Sequence, residues 1–243
     1  MQAVPEAVSI SRRYHHVLER IARAARRVGR SPQEVRLVVV VKGQPLGRIR
    51  AVVDAGARDL GENYPEQALP KMEVLRQGPP VHWHMIGHLQ RRKAKIVAQH
   101  FAMIHAIDRE SIARRLDALL ASHRRVLPAL LEFNVGGEAQ KHGWPAWDEA
   151  AWPALADAVA PVLDLPHLDV RGLMTVPPWL EDPEAVRPYF RRLRRLRDFL
   201  ARRFPRFTWE HLSMGMSHDF EIAVEEGATF VRVGSAILGP RPG

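Results

Sequence analysis

The chain alternates short apolar runs with longer stretches in which apolar residues recur every three or four positions. Unbroken runs of four to eight apolar residues predict buried strands, and the three-to-four spacing predicts amphipathic helices. On that reading, strands lie at 36–42, 57–60, 81–86, 102–107, 127–135, 168–175, 207–212 and 229–233. An N-terminal helix covers about residues 8–29. Further helices lie at 45–56, 64–77, 89–100, from Asp108 onward, 147–163, 183–203 and 217–226, and "SAILG" closes the chain with a short turn. Asp108 is the expected N-cap of its helix. Phe190, Leu193, Leu196 and Leu200 fall on one face of the helix at 183–203.

Strict strand–helix alternation implies parallel strands joined by right-handed crossovers. Eight such units match a closed (β/α)8 TIM barrel. The expectation is an α/β protein with one domain, residues 1–243, and an extra N-terminal helix. An open doubly wound sheet is the alternative. No G-x-G-x-x-G follows the first strand, which argues against a dinucleotide-binding domain.

Composition narrows the function. There is no cysteine, which removes disulfides, thiolate catalysis and Cys-type metal sites. No apolar run reaches the length of a membrane span, and the N-terminus lacks the apolar core of a secretory signal. The cytoplasm is the expected location. The net charge is +9, and only five of the 36 basic residues are lysines. The arginines concentrate in two amphipathic helices and are expected to form solvated faces. Without a recognition motif or aromatic platform, nucleic acid is not an expected partner.

The chemistry sits at the strand ends. In "VRLVVVVKGQP", Lys42 follows five apolar residues and precedes Gly43 and Pro45, which stop the strand. Either it snorkels to solvent or its amine faces a pocket. Loops after the seventh and eighth strands recurrently bind phosphate in this fold. There the chain carries Ser213-Met214-Gly215-Met216-Ser217 and Arg232-Val233-Gly234-Ser235. Glycines allow close backbone approach, and the serines offer hydroxyls. A phosphate seat plus a strand-end lysine points to a phosphorylated aldehyde. Pyridoxal 5′-phosphate (PLP) anchors its phosphate and forms a Schiff base with lysine. Arg232 would point into the barrel. Placed against the pyridine nitrogen it could only donate a hydrogen bond, which weakens the ring as an electron sink. The other reading pairs Arg232 with a carboxylate, Glu210 or Glu132.

The segments "VVVVKGQP", "AGARDLGENYPEQ", "WHMIGHLQRRK", "FNVGGEAQKHG", "RGLMTVP", "LSMGMSHDFEIAVEEGAT" and "VRVGSAILG" together resemble the YggS/PROSC-type PLP homeostasis proteins, over about residues 8–240. The chain departs from the family pattern at Val41, Gly43-Gln44 and Gly136. The resemblance implies the barrel of alanine racemase without its second domain. It implies PLP held by Lys42 as an internal aldimine, with Ser213, Gly215, Ser217, Gly234 and Ser235 around the phosphate. Met214 lies within the same cofactor-binding segment. Arg232 would face the pyridine nitrogen, and Asn63, His84, Asn134 and Met174 would line the ring pocket. It further implies a monomer with little or no turnover, acting in PLP and amino- and keto-acid homeostasis and delivering cofactor to apo PLP-dependent enzymes.

Two alternatives stand beside this. One is a PLP-dependent amino-acid racemase, for which Tyr64 is the only tyrosine near a strand end. The other is a metal-dependent hydrolase using His82, His84, His105 and His211. The absence of an Asp at the eighth strand end argues against the latter, and no metal is expected.

Overall fold

The computed structural model describes residues 5–241, so the outermost ends of the expected domain, 1–4 and 242–243, lie outside the described residues. In chain order the elements are α1 (Glu6–Arg27), β1 (Arg36–Val40), α2 (Leu46–Asp54), β2 (Asp59–Glu62), α3 (Pro65–Leu75), β3 (His82–Met85), α4 (Ala94–His100), β4 (Met103–Ile107) and α5 (Glu110–Ser122). They continue with β5 (Leu127–Asn134), β6 (Trp144–Pro145), α6 (Trp152–Leu163), β7 (Leu168–Met174), α7 (Arg187–Arg203), β8 (His211–Ser213), α8 (Phe220–Glu225), β9 (Phe230–Val233) and α9 (Ser235–Leu238).

The strands are parallel and run β4-β3-β2-β1-β9-β8-β7-β5, and β4 pairs with β5 to close the ring. This is the eight-stranded (β/α)8 barrel that the alternation predicts. The two-residue β6 pairs with Phe133 and Asn134 at the upper end of β5.

Strand alternation decides what points where. The small apolar cluster within the barrel includes Val38, Leu130, Met174 and Phe230, with Val40 packed against it. Val39 and Val41 join the larger core under the helices. The inward set of β1 is therefore Val38, Val40 and, next in period, Lys42. By the same count β5 sends Leu130, Glu132 and Asn134 inward, and β9 sends Phe230 and Arg232.

Several elements differ from the sequence expectation. The second strand starts at Asp59 because residues 55–57 complete the turn closing α2, with Ala57 N–H donating to Val52 O at 3.0 Å. The seventh barrel strand is short, His211–Ser213. Ahead of it the chain turns back, with the Trp209 indole donating to the Phe204 carbonyl at 3.2 Å. Asp108 does not cap α5; its carboxylate meets His88 and Arg109 instead.

The arginine-rich helices are tied down rather than merely solvated. Phe190, Leu193, Leu196 and Leu200 of α7 are fully buried. On its other side Arg187 reaches Glu225 at 2.7 Å and Glu226 at 2.9 Å. From α1, Arg20 reaches Glu221 and Arg27 reaches Glu225, each at 2.7 Å. Both long helices thus grip α8, which is too short to hold as an isolated helix. No helix among the described residues is long and apolar enough to cross a membrane.

Candidate functional site

A cavity of about 590 Å³ opens at the C-terminal end of the barrel. Six of the expected residues line it together: Lys42, Asn63, Ser217, Arg232, Gly234 and Ser235. Val176, Pro178, Trp179 and Leu180 of the loop after β7 form part of its rim.

Lys42 is half-buried, one step past the inward-facing Val40. Burial lowers its amine below the usual lysine range. The charges of Arg241 and Arg232 add to this, and Glu62 opposes it. Glu62 is fully buried and already paired to Lys71, which also donates to the Val41 carbonyl at 3.0 Å. Lys71 therefore satisfies the acid that would otherwise hold Lys42 protonated. A partly desolvated amine with a lowered pKa supplies the neutral nucleophile that imine chemistry needs.

At the end of the neighbouring strand β9 two backbone amides converge. The backbone N–H groups of Gly234 and Ala236 both donate to Ser217 Oγ, each at 3.3 Å. One hydroxyl oxygen thus sits where two amides converge, as an anionic acceptor would. Gly215 shapes the approach: its φ is +93°, and a Cβ there would sit 2.5 Å from the Ala223 Cβ. Asp219 accepts the Met216 N–H at 2.6 Å and holds the turn.

Below the cavity runs a buried row of hydrogen bonds. Arg232 donates to Ser213 Oγ at 2.6 Å and to the Thr175 carbonyl at 2.8 Å. Ser213 Oγ meets His105 Nδ1 at 2.8 Å, and His105 Nε2 meets His84 Nδ1 at 2.9 Å. His84 Nε2 meets Asp59 Oδ1 at 2.9 Å. Arginine only donates and a carboxylate only accepts. With each imidazole carrying one proton, the bonds run one way: Arg232 to Ser213 to His105 to His84 to Asp59. Burial, followed by the charges of His84, Arg232 and His211, holds His105 well below the ordinary imidazole range. Burial also lowers Arg232, to about 10, against the pull of Glu132 and Asp219, and it stays charged at neutral pH. Its hydrogen bonds go to a hydroxyl and a carbonyl, not to a carboxylate.

The other expected residues stand outside the cavity lining. Ser213 is fully buried with its hydroxyl committed to the row above, and His84 belongs to the same row. Met174 and Met214 are buried in the apolar interior. Gly215 presents its carbonyl to the Arg232 N–H at 2.9 Å. Asn134 braces its own loop, its Oδ1 accepting from Gly137 N at 2.9 Å and its Nδ2 donating to Glu138 O at 2.9 Å. His82, His84, His105 and His211 make no metal-type cluster. The one such group among the described residues is His88, Asp108 and His142. There His88 is hydrogen-bonded to Asp108 at 2.5 Å and stacked on His142. Tyr64 is half-exposed and off the cavity lining.

Glu132 also lines the cavity, with its Oε2 buried and unpartnered. From the sequence it is expected only as a partner for Arg232. The signal was present: "LLEFN" puts an acid in an apolar strand, in phase with the inward positions, as "VVVVK" does with a base.

Residues 14–242 match the family model described as alanine racemase, N-terminal domain. The chain is 42% identical over 229 residues to the pyridoxal phosphate homeostasis protein of Aquifex aeolicus, covering 94% of this chain and 97% of that one. It is 41% identical over 225 residues to the protein of that name from Pseudomonas aeruginosa, covering 93% of each. Among solved structures, PipY of Synechococcus elongatus with PLP bound superposes with a TM-score of 0.77. It is 33% identical, over 92% of this chain and 100% of PipY.

Proposed function

This chain belongs to the family of pyridoxal phosphate homeostasis proteins, and we propose that it holds PLP through an imine to Lys42 and acts in PLP and amino- and keto-acid homeostasis with little or no turnover. The observation that carries the reading is the presence, in one cavity, of Lys42 and of Ser217, whose Oγ gathers the amides of Gly234 and Ala236. The amides and Ser217 grip the phosphate, and Lys42 supplies the neutral amine. Arg232 donates toward the ring nitrogen. PLP, when bound, supplies an electrophilic aldehyde and an electron-withdrawing ring. A guanidinium opposite the nitrogen keeps that ring unprotonated and weakens the withdrawal, which favours holding over carbanion chemistry. The protein works as a monomer and passes its cofactor to apo PLP-dependent enzymes.

The test is an absorption spectrum of the protein mixed with PLP, before and after borohydride. A visible imine band is expected, bleached by reduction, with the label on the peptide that contains Lys42. A band and label that persist unchanged in Lys42→Ala would defeat the assignment. Cα–H exchange of alanine at enzymatic rates, about 1 s⁻¹ or faster, would favour a racemase.

A further inference from the structure

Glu132 is the one acid of the cavity wall whose buried oxygen has no protein group to meet. It is 8% exposed, lines the cavity, and its Oε2 has no hydrogen-bond partner among the described residues. No element packed against β5 hydrogen-bonds this oxygen. In register on β7 stands Met174, and β6 brings Pro145 and Trp144, whose buried indole N–H is itself unpartnered. Beyond the end of β4 lies Asp108, another acid. Arg232 on β9 is near enough to act on it by charge, but its two side-chain hydrogen bonds go to Ser213 and Thr175 and none goes to Glu132. The titratable groups of the remaining walls are Lys42, His88, Lys141, His142, His218, Asp219 and Arg241.

A buried carboxylate without donors is costly and takes up a proton instead. The resulting acid then needs an acceptor, and among the described residues none lies at hydrogen-bond distance of Oε2. The ligand of the proposed function is a phosphorylated aldehyde with a second acidic oxygen on its ring, so it brings acceptors into the cavity. We propose that Glu132 is a ligand-contacting residue that enters the loaded cavity as a neutral acid and donates a hydrogen bond to an anionic oxygen of the bound phospho-aldehyde. Consistent with this, burial and the charge of Asp108 push the Glu132 carboxyl up to about 7, against the pull of Arg232. Ionisation would set an anion against an anionic ligand, so binding takes up a proton and weakens as the free carboxyl ionises.

The inference rests on the PLP reading, and the experiment separates the two. PLP affinity is titrated by the visible band from pH 6 to 8.5 in the wild type and in Glu132→Gln, Glu132→Asp and Glu132→Leu. Above pH 7 the wild-type Kd should rise more steeply than that of Glu132→Gln, by at most about tenfold per pH unit. Glutamine is a permanent neutral donor. Its Kd should stay within about threefold of the wild-type value at pH 6, a small step on the free-energy scale. Glu132→Asp should keep the slope with weaker binding, and Glu132→Leu should bind weakly throughout. Equal slopes in wild type and Glu132→Gln, wild-type affinity that increases with pH, or a glutamine variant as weak as the leucine one would overturn the inference. Failure of the wild type to bind PLP at any pH would remove the proposed function, and this inference with it.

Discussion

Arg232 and Ser213 are joined by a 2.6 Å hydrogen bond in a place water does not reach. Because the guanidinium can only donate, the serine hydroxyl accepts there and is free to spend its own proton on His105. Ser213→Ala breaks both bonds at once and leaves a buried guanidinium N–H and an imidazole nitrogen unpaired. Each such group costs about 1–3 kcal/mol. Urea unfolding should show a loss in that range or above it, and the PLP band should shift as Arg232 loses its placement. An unchanged midpoint would mean the bond contributes nothing.

The depressed Lys42 amine has a chemical signature. At pH 8 a larger fraction of it is neutral than of an ordinary lysine. Brief reductive methylation, read by mass spectrometry, should modify Lys42 ahead of the exposed Lys95 despite its partial burial. Preloading with PLP should abolish that preference. Labelling in order of exposure alone would contradict it.

His105 makes stability sensitive to acid. Its folded value lies below the ordinary one, so below about pH 6.5 the unfolded chain binds a proton that the native protein refuses. Its contribution is intact above that pH and is lost as the pH falls. Unfolding free energies at pH 7.5, 6 and 5 should decline in that order, and His105→Asn should flatten the decline.

Glu132 acts in the opposite sense. Its folded carboxyl titrates at about 7 instead of 4.5, so its cost is absent in acid, grows from pH 4.5 and is complete above 7. That cost is up to about 3 kcal/mol, from the size of the shift. Glu132→Gln without ligand should therefore gain stability at pH 8 relative to pH 5 when compared with the wild type. A difference that does not vary with pH would show that the carboxyl is not buried as described.

The barrel was legible because eight apolar runs separated by amphipathic helices leave little else for the chain to form. Lys42 was legible for a related reason: a charge ending an apolar strand has few places to go. The buried row was not. Asp59, His84, His105 and Ser213 are spread over four strands, and only the closure of β4 onto β5 and the register of β8 bring their side chains into line. The shortness of β8 and the use made of Asp108 also depend on tertiary contacts. Local propensity favoured a strand in "FTWEHLS" and a cap in "DRES", and packing overrode both.

The interior of this barrel also constrains what its descendants could become. An aspartate at position 232 would ask Ser213 to donate to it. His105 would then have to donate to Ser213, and His84 to His105. The last imidazole would be left with a lone pair facing the carboxylate of Asp59, a clash relieved only by one more proton. Placing an acid at this position is thus not a single substitution but a coordinated rewriting of five positions.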